Sequence, residues 1–263
     1  MSEGRITSTL SDGIAVIRFD NVARRNAFTI AMLQSLRGEV ESRLADPACR
    51  VLVLRGEGGF FSAGGDINDF RQTLQLDAPA RFDTFRALIE NWVNPTILAL
   101  RAAHQPVVSV VQGACAGYGM SLALASDLIV AAEDAVFSTA YTGIALPCDG
   151  GQSAFLVRAL GERRARELMW SARRVDAAEA RSLGLVEQVV PVAGLDAAVQ
   201  ATVARLANGP RHALAEIKRL LDPLLAPQLA AEALAFARCA ATMDFVEGIN
   251  AFAERRAPAF RGG

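Results

Sequence analysis

Charge of one sign is what this chain most plainly lacks. Its Lys and Arg total 27 against 28 Asp and Glu, a formal net charge of −1 with both histidines neutral. Such a balance exerts no long-range pull on nucleic acid or an anionic membrane. Paired basic residues occur at Arg24–Arg25, Arg163–Arg164, Arg173–Arg174 and Arg255–Arg256, and pairs of this kind ordinarily sit on solvated faces or helix ends. The four cysteines, Cys49, Cys115, Cys148 and Cys239, are scattered without CxxC spacing. That pattern predicts reduced thiols in a cytosolic protein, with no metal site. Met1–Ser2–Glu3–Gly4 leads directly into strand-like sequence, so no targeting peptide is expected. No uninterrupted apolar run reaches the ~18 residues that suggest a membrane span. A cytoplasmic location follows as the expectation.

Nucleotide signatures are missing too. "GEGGFFSAGGD" lacks the Lys-Ser/Thr of a phosphate-binding loop, and no turn spells GxGxxG. What the 263 residues do have is apolar mass: 52% are hydrophobic. That suffices for one large α/β domain, or a domain with a small appendage.

Alternation in "RITSTLSDGIAVIRFD" predicts a hairpin about Ser11–Asp12–Gly13. "FTIAMLQSLRGEVESRLAD" carries apolar residues at helical spacing, with Thr29 as its N-cap. "RVLVLRGEG" is a buried strand ending at glycines, followed by the loop-to-helix stretch "FFSAGGDINDF". A polar and mobile segment is expected at 72–80. Helix then covers 81–103, interrupted at Asn94–Pro95. "PVVSVVQG" is another buried strand, leading through the turn "ACAGYGM" into the helix "SLALASD"; "LIVAAEDAVFS" adds strand. The recurring grammar of strand, glycine turn and helix argues for a layered α/β fold. "ARELMWSARRVDAAEARSLGLVEQVVP" reads as helix, break at Val175–Asp176, short helix and closing strand. From about Leu195 the chain is Ala/Leu-rich helix, broken near Asn208–Gly209–Pro210 and Asp222–Pro223. So apolar a tail must pack on its own body or on a neighbouring subunit, which predicts an oligomer.

Two glycine turns carry the chemistry. Gly65 lies beside Asp66 at a helix start in "SAGGD", and Tyr118 lies between Gly117 and Gly119 in "AGYGM". Glycine lets backbone approach a ligand closely, and a helix start leaves N–H groups without intrahelical partners. Two such groups converging on one carbonyl oxygen would stabilise an enolate, and losing one donor typically costs about 3–4 kcal/mol. Taken singly, either turn reads more simply as a strand-to-helix corner. Asp149, in "GIALPCDGGQS", poses a similar choice: it shapes the Gly150–Gly151 turn and caps a helix, or it is a base at the floor of an apolar pocket.

In order along the chain, "GGFFSAGGDI", "QPVVSVVQGACAGYGMSLALASDLIVAAEDAVF", "ALPCDGG", "RARELMWSARRVDAAEARSLGLVEQVVP" and "EGINAFAERRAPAF" resemble the enoyl-CoA hydratase/isomerase (crotonase) superfamily. The likeness runs from about Ile6 to Phe260. It implies a spiral of ββα units over residues 1–194, with a helical region over 195–263 that assembles trimers, often paired into hexamers. It also implies an acyl-CoA thioester as substrate, with coenzyme A entering as part of that substrate and no separate cofactor. By the same resemblance the oxyanion hole is the backbone N–H of Gly65 and of Tyr118. Ala63, Asp66 and Ile67 match the stretch that holds the adenine end of coenzyme A. Arg25 matches a position near its phosphates, and Phe260 one that reaches a neighbour's site.

The chain departs from the hydratases of this family at both acid–base positions, where Ser121 and Tyr141 stand in place of glutamates. Water addition to a double bond needs paired acids and bases, which a Ser/Tyr pair replaces poorly. Asp149, however, matches a catalytic Asp of isomerase relatives, and one carboxylate suffices to carry a proton between two carbons. The leading expectation is therefore double-bond isomerisation with Asp149 as shuttle and Tyr141 beside the substrate. A hydratase with non-standard residues and a non-catalytic acyl-CoA binder are the alternatives. In a further reading Asp149 is a nucleophile, as in dehalogenase relatives. That branch places a histidine on the helix before "QPVV", where residues 81–103 have none. Glu90 and Asp69 read as solvated.

Overall fold

Strand alternation at the N-terminus is realised as a hairpin in the structure, a computed structural model that describes residues 4–221 and 225–262. β1 (Arg5–Ser11) pairs antiparallel with β2 (Ile14–Asp20), from Arg5 opposite Asp20 to Ser11 opposite Ile14. Asp12 (φ 53°) and Gly13 (φ 79°) take the left-handed conformation that a two-residue hairpin turn requires. In α1 (Ile30–Ala45) the Thr29 hydroxyl accepts from the Met32 N–H at 3.2 Å, as the cap expected of it. Met32, Leu33, Leu36 and Val40 turn one face of that helix into the core.

The chain then alternates as its glycine punctuation suggests. β3 (Val51–Gly56) leads through the first glycine turn into α2 (Ile67–Gln72), α3 (Ala78–Leu88) and α4 (Asn94–Ala102). β4 (Val107–Val111) and β5 (Ala114–Ala116) lead through the second turn into α5 (Tyr118–Ala125). β6 (Leu128–Ala132), β7 (Val136–Ser138), α6 (Gln152–Leu160), α7 (Glu162–Ser171), β8 (Val175–Asp176), α8 (Ala177–Ser182) and β9 (Gln188–Val190) complete the α/β portion. One sheet runs β1-β2-β3-β4-β6-β9, parallel from β2 onward, and a smaller one runs β5-β7-β8. This is the crotonase-like α/β architecture, followed by a helical region: α9 (Leu195–Ala207), α10 (Arg211–Leu220), α11 (Leu225–Ala240) and α12 (Met243–Glu254).

Both faces of the large sheet are covered, so its parallel strands are apolar on alternate and intervening residues alike. Leu52 and Leu54 of β3 join the main core with α1 and α4, whereas Val51 and Val53 join a second cluster closed by Leu195, Val199 and Val203 of α9. Phe236 and Ala240 of α11 belong to the main core. Helices α9, α11 and α12 therefore share the core's own hydrophobic clusters. Exposed apolar side chains remain at Ile217, Leu220, Leu221, Met243 and Phe252.

Two expectations about the middle of the chain are corrected. Residues 72–80 are structured: a 3₁₀ turn spans Thr73–Gln75, and Asp77 caps α3 by accepting from the Ala80 N–H at 2.9 Å. The break at Asn94–Pro95 is a π-helical turn over Ile89–Val93 that joins α3 to α4. Pro95 then falls in the first turn of α4, where a missing N–H costs least. The break expected at Asp222–Pro223 and the segment Met1–Glu3 lie outside the described residues. No single helix among the described residues is long and apolar enough to cross a membrane.

Candidate active site

The two glycine turns abut. A Cβ on Gly64 would stand 3.0 Å from the Ala116 carbonyl oxygen and 3.5 Å from the Tyr118 nitrogen, and one on Gly117 would stand 3.6 Å from the Gly64 Cα. Gly64 (φ 97°) and Gly117 (φ 51°) also hold conformations that side-chain-bearing residues avoid. Around the first turn, the Phe28 N–H donates to the Gly64 carbonyl at 2.7 Å and the Asp66 N–H donates to the Phe28 carbonyl at 2.9 Å. That bridge uses the neighbours of the Gly65 N–H but not the Gly65 N–H itself. Tyr118 opens α5, where an N–H has no intrahelical acceptor. Among the described residues two donors thus remain unspent on adjoining turns, and both residues line one cavity.

That cavity measures about 440 Å³ and is walled mainly by Phe28, Leu33, Phe70, Leu88, Ile144 and Phe236. Among the described residues its wall carries no Lys, Arg or His. Asp149 reaches it from the corner before α6. The side chain of Asp149 is not the cap of that helix. Gly150 (φ 63°) and Gly151 (φ 80°) turn the chain; the Gln152 N–H donates to the Asp149 backbone carbonyl at 3.3 Å, and the Gly151 and Ser153 N–H groups go to Glu232 rather than to the Asp149 carboxylate. Asp149 is only 6% exposed, and its Oδ1 accepts from the Tyr141 hydroxyl at 2.6 Å. Burial pushes its carboxyl up to about 7; the Tyr141 hydrogen bond opposes this and the charge of Glu232 adds to it. A carboxyl poised near neutrality can both take and return a proton. Burial likewise pushes the phenols of Tyr141 and Tyr118 up, with the charge of Asp149 as a second cause.

Glu232 is one residue that sequence reasoning missed. It comes from α11, is 4% exposed, and accepts from the Gly151 N–H at 2.6 Å, the Ser153 N–H at 3.0 Å and the Ser153 hydroxyl at 2.6 Å. It supplies the start of α6 with the cap that Asp149 could have been. Burial raises its own pKa, and those three donors lower it. The signal was present in the spacing: Leu229, Glu232, Ala233 and Phe236 share one helical face, so an acid occupies an apolar register position. Phe236 and Phe252, from α11 and α12, line the cavity as well.

The other expected residues divide. Ala63, Ile67 and Tyr141 line the cavity with Gly65, Tyr118 and Asp149. Asp66 does not: it is buried, caps α2 by accepting from the Asn68 N–H at 2.9 Å, and pairs with Arg24. Arg25 lies outside the cavity wall with its guanidinium 5.7 Å from the Phe60 ring centroid. Phe260 is 43% exposed on the C-terminal tail. Asp69, read as solvated, is half-buried on the cavity wall, and its carboxylate accepts from the Ile30 N–H at 2.9 Å. Glu90 is a surface residue paired with Arg86, as expected. His104 and His212 are exposed and lie in another cleft, beside Arg50 and Arg211. Ser121 is buried behind the wall, where its hydroxyl donates to the Asp149 carbonyl oxygen at 2.8 Å.

Two abutting glycine turns over an apolar cavity, carried on this α/β fold, define the site, and comparison with known proteins places the chain in a family. Residues 9–263 match the family described as enoyl-CoA hydratase/isomerase. The chain is 35% identical to a Rhodobacter capsulatus protein described as "Probable enoyl-CoA hydratase", over the full length of both. It is 30% identical to the 1,2-epoxyphenylacetyl-CoA isomerase of Escherichia coli, covering 98% of each chain. A crystal structure of an enoyl-CoA hydratase from Mycobacterium avium subsp. paratuberculosis superposes with a TM-score of 0.85 at 33% identity, over 97% of this chain and 98% of that one. This chain belongs to the enoyl-CoA hydratase/isomerase family.

Proposed function

We propose that this protein shifts the double bond of an enoyl-CoA thioester, with Asp149 as the single proton carrier. The observation that carries this reading is the placement of Asp149. Its carboxyl is buried, uninvolved in helix capping, and set on the same cavity wall as Gly65 and Tyr118. The N–H groups of those two residues would grip the thioester oxygen. The Asp149 carboxylate takes the proton from the carbon next to the thioester, and the electron pair delocalises onto the held oxygen. The same carboxyl then returns the proton two carbons further along, leaving the double bond conjugated with the thioester. Its pKa near neutrality suits both halves of that exchange. Hydration is the less favoured reaction, because Ser121 is buried behind the wall and the Tyr141 hydroxyl is already bonded to Asp149.

Coenzyme A would run past Ala63 and Ile67 at the rim, with Asp66 and Arg25 supporting that rim from outside the cavity. Phe260 would serve a neighbouring protomer. A cytoplasmic homotrimer, singly or paired as a hexamer, would cover the apolar side chains that α10 and α12 leave exposed.

The test is mass spectrometry in deuterated water with a 3-enoyl-CoA and a 2-enoyl-CoA. Migration of the double bond, or exchange at the α and γ carbons, is expected. A gain of one water makes the protein a hydratase, and neither change makes it a binder. Full-rate isomerisation by Asp149→Asn removes the aspartate from the reaction.

A further inference from the structure

Gln152 opens α6, three residues beyond Asp149, and is fully buried. Its Nε2 donates to the Gly117 carbonyl oxygen at 3.3 Å and to the Ser121 hydroxyl oxygen at 3.4 Å. Its Oε1 is buried with no donor among the described residues. An unpaired buried carbonyl costs about 1–3 kcal/mol. Turning the amide over would set Oε1 against the Gly117 carbonyl, acceptor against acceptor. The amide is therefore oriented by Gly117, at the expense of its own oxygen.

Gly117 is where such an anchor matters. Its carbonyl and the Tyr118 N–H belong to one planar peptide and point in opposite directions. Whatever fixes that carbonyl aims that N–H. Gly117 sits at φ 51°, ψ −127°, a conformation outside the range of other residues, so local backbone preference does not hold the plane. Its N–H is tied to the Ser138 carbonyl at 3.1 Å, and its carbonyl accepts the first helical bond from the Ser121 N–H at 3.1 Å. The Ser121 hydroxyl has a single proton, and its short contact is with the Asp149 carbonyl at 2.8 Å rather than with Gly117 at 3.4 Å. Gln152 is the side chain with a donor to spare.

We propose that Gln152 is a positioning residue that fixes the Gly117–Tyr118 peptide so that the Tyr118 N–H meets the substrate oxygen, and that with Ser121 it ties this peptide to the corner bearing Asp149. The proposal rests on the reading above in one respect, namely that a thioester oxygen occupies that spot. It needs no particular acyl group and no particular reaction.

The experiment is difference infrared spectroscopy of hexanoyl-CoA, labelled with ¹³C at the thioester carbon, bound to wild type, Gln152→Met, Gln152→Asn and Asp149→Asn. Gln152→Met keeps the volume without the donor, and Gln152→Asn keeps the amide but withdraws it by one methylene. Binding to wild type is expected to move the carbonyl band to lower wavenumber. At least half of that movement is expected to be lost in both Gln152 variants and kept in Asp149→Asn. Circular dichroism and the hexanoyl-CoA dissociation constant, expected within about threefold of wild type, report that the variants are folded and binding. In turnover the two Gln152 variants are expected to lose at least about tenfold in kcat, with KM moved far less and the acid limb of the pH profile in place. Either folded, thioester-binding variant retaining the full band shift overturns the role of Gln152 alone. No shift in wild type overturns the oxyanion site itself, and the Gln152 proposal with it.

Discussion

The Tyr141 hydroxyl donates to Oδ1 of Asp149 across 2.6 Å, with both side chains shut away from solvent. Such a bond favours the charged carboxylate. It therefore works against the burial that pushes Asp149 up to about 7. Tyr141→Phe removes the restraint and leaves burial unopposed. A hydrogen bond to a charged group is worth about 1.5–3 kcal/mol, so the acid limb of the kcat/KM profile is expected to move up by roughly one to two pH units. A limb that stays in place in the variant would mean that this bond does not govern the proton carrier.

Glu232 acts on the same carboxyl with the opposite sign. Its charge raises the Asp149 pKa, and its oxygens hold the Gly151 and Ser153 N–H groups at the start of α6. Glu232→Gln removes the charge and sets an amide NH₂ among donors. The acid limb is expected to fall, opposite to the shift in Tyr141→Phe, and the protein to lose about 1–2 kcal/mol in chemical denaturation as the cap is spoiled. Limbs moving in the same direction in both variants would contradict this account of the site.

Asp149 also makes stability depend on pH. Folding raises its pKa from an ordinary 3.8 to about 7. Between those values the native state binds more protons than the unfolded chain, so stability falls as pH rises through that window. The full shift corresponds to at most on the order of 4 kcal/mol. Below about pH 4 both states hold the neutral acid and the difference vanishes. Asp149→Asn is expected to match wild type within about 1 kcal/mol at pH 4 and to exceed it by about 2–4 kcal/mol at pH 8, while losing turnover. Equal stability at pH 8 would show that the carboxyl is not held in the dry environment described.

The legible parts of the molecule were those written in local pattern. The hairpin at Asp12–Gly13, the Thr29 cap and the strand–glycine–helix units each need only neighbouring residues, and each is found. Asp149 announced itself because a carboxylate before Gly150–Gly151 has few roles, and the structure placed it on the cavity wall. Glu232 did not, because its partners lie 79 and 81 residues away along the chain. Gln152 stayed hidden for a related reason: its acceptor is a backbone carbonyl, Gly117, on another helix's start. Asp69 misled because its helical, polar surroundings in sequence say nothing of the Ile30 N–H that holds it at the cavity.

The cavity wall also limits the acyl group. Rings and branched chains dominate it, the charged side chains that reach it are Asp69 and Asp149, and no cation among the described residues stands there to receive an anion. An acyl chain ending in methyl or phenyl would exchange water for Phe28, Phe70 and Phe236, at about 25 cal/mol per Å² buried. One ending in carboxylate would bring an unpaired charge into the same space, which costs several kcal/mol unless the group stays in solvent. The charge of Asp69 adds repulsion. At equal chain length, an apolar enoyl-CoA is therefore expected to exceed its ω-carboxyl counterpart in kcat/KM by at least about 100-fold near neutral pH. The gap is expected to narrow as pH falls and the ω-carboxyl is neutralised. Comparable kcat/KM for the two at neutral pH would mean that the acyl chain does not enter this cavity.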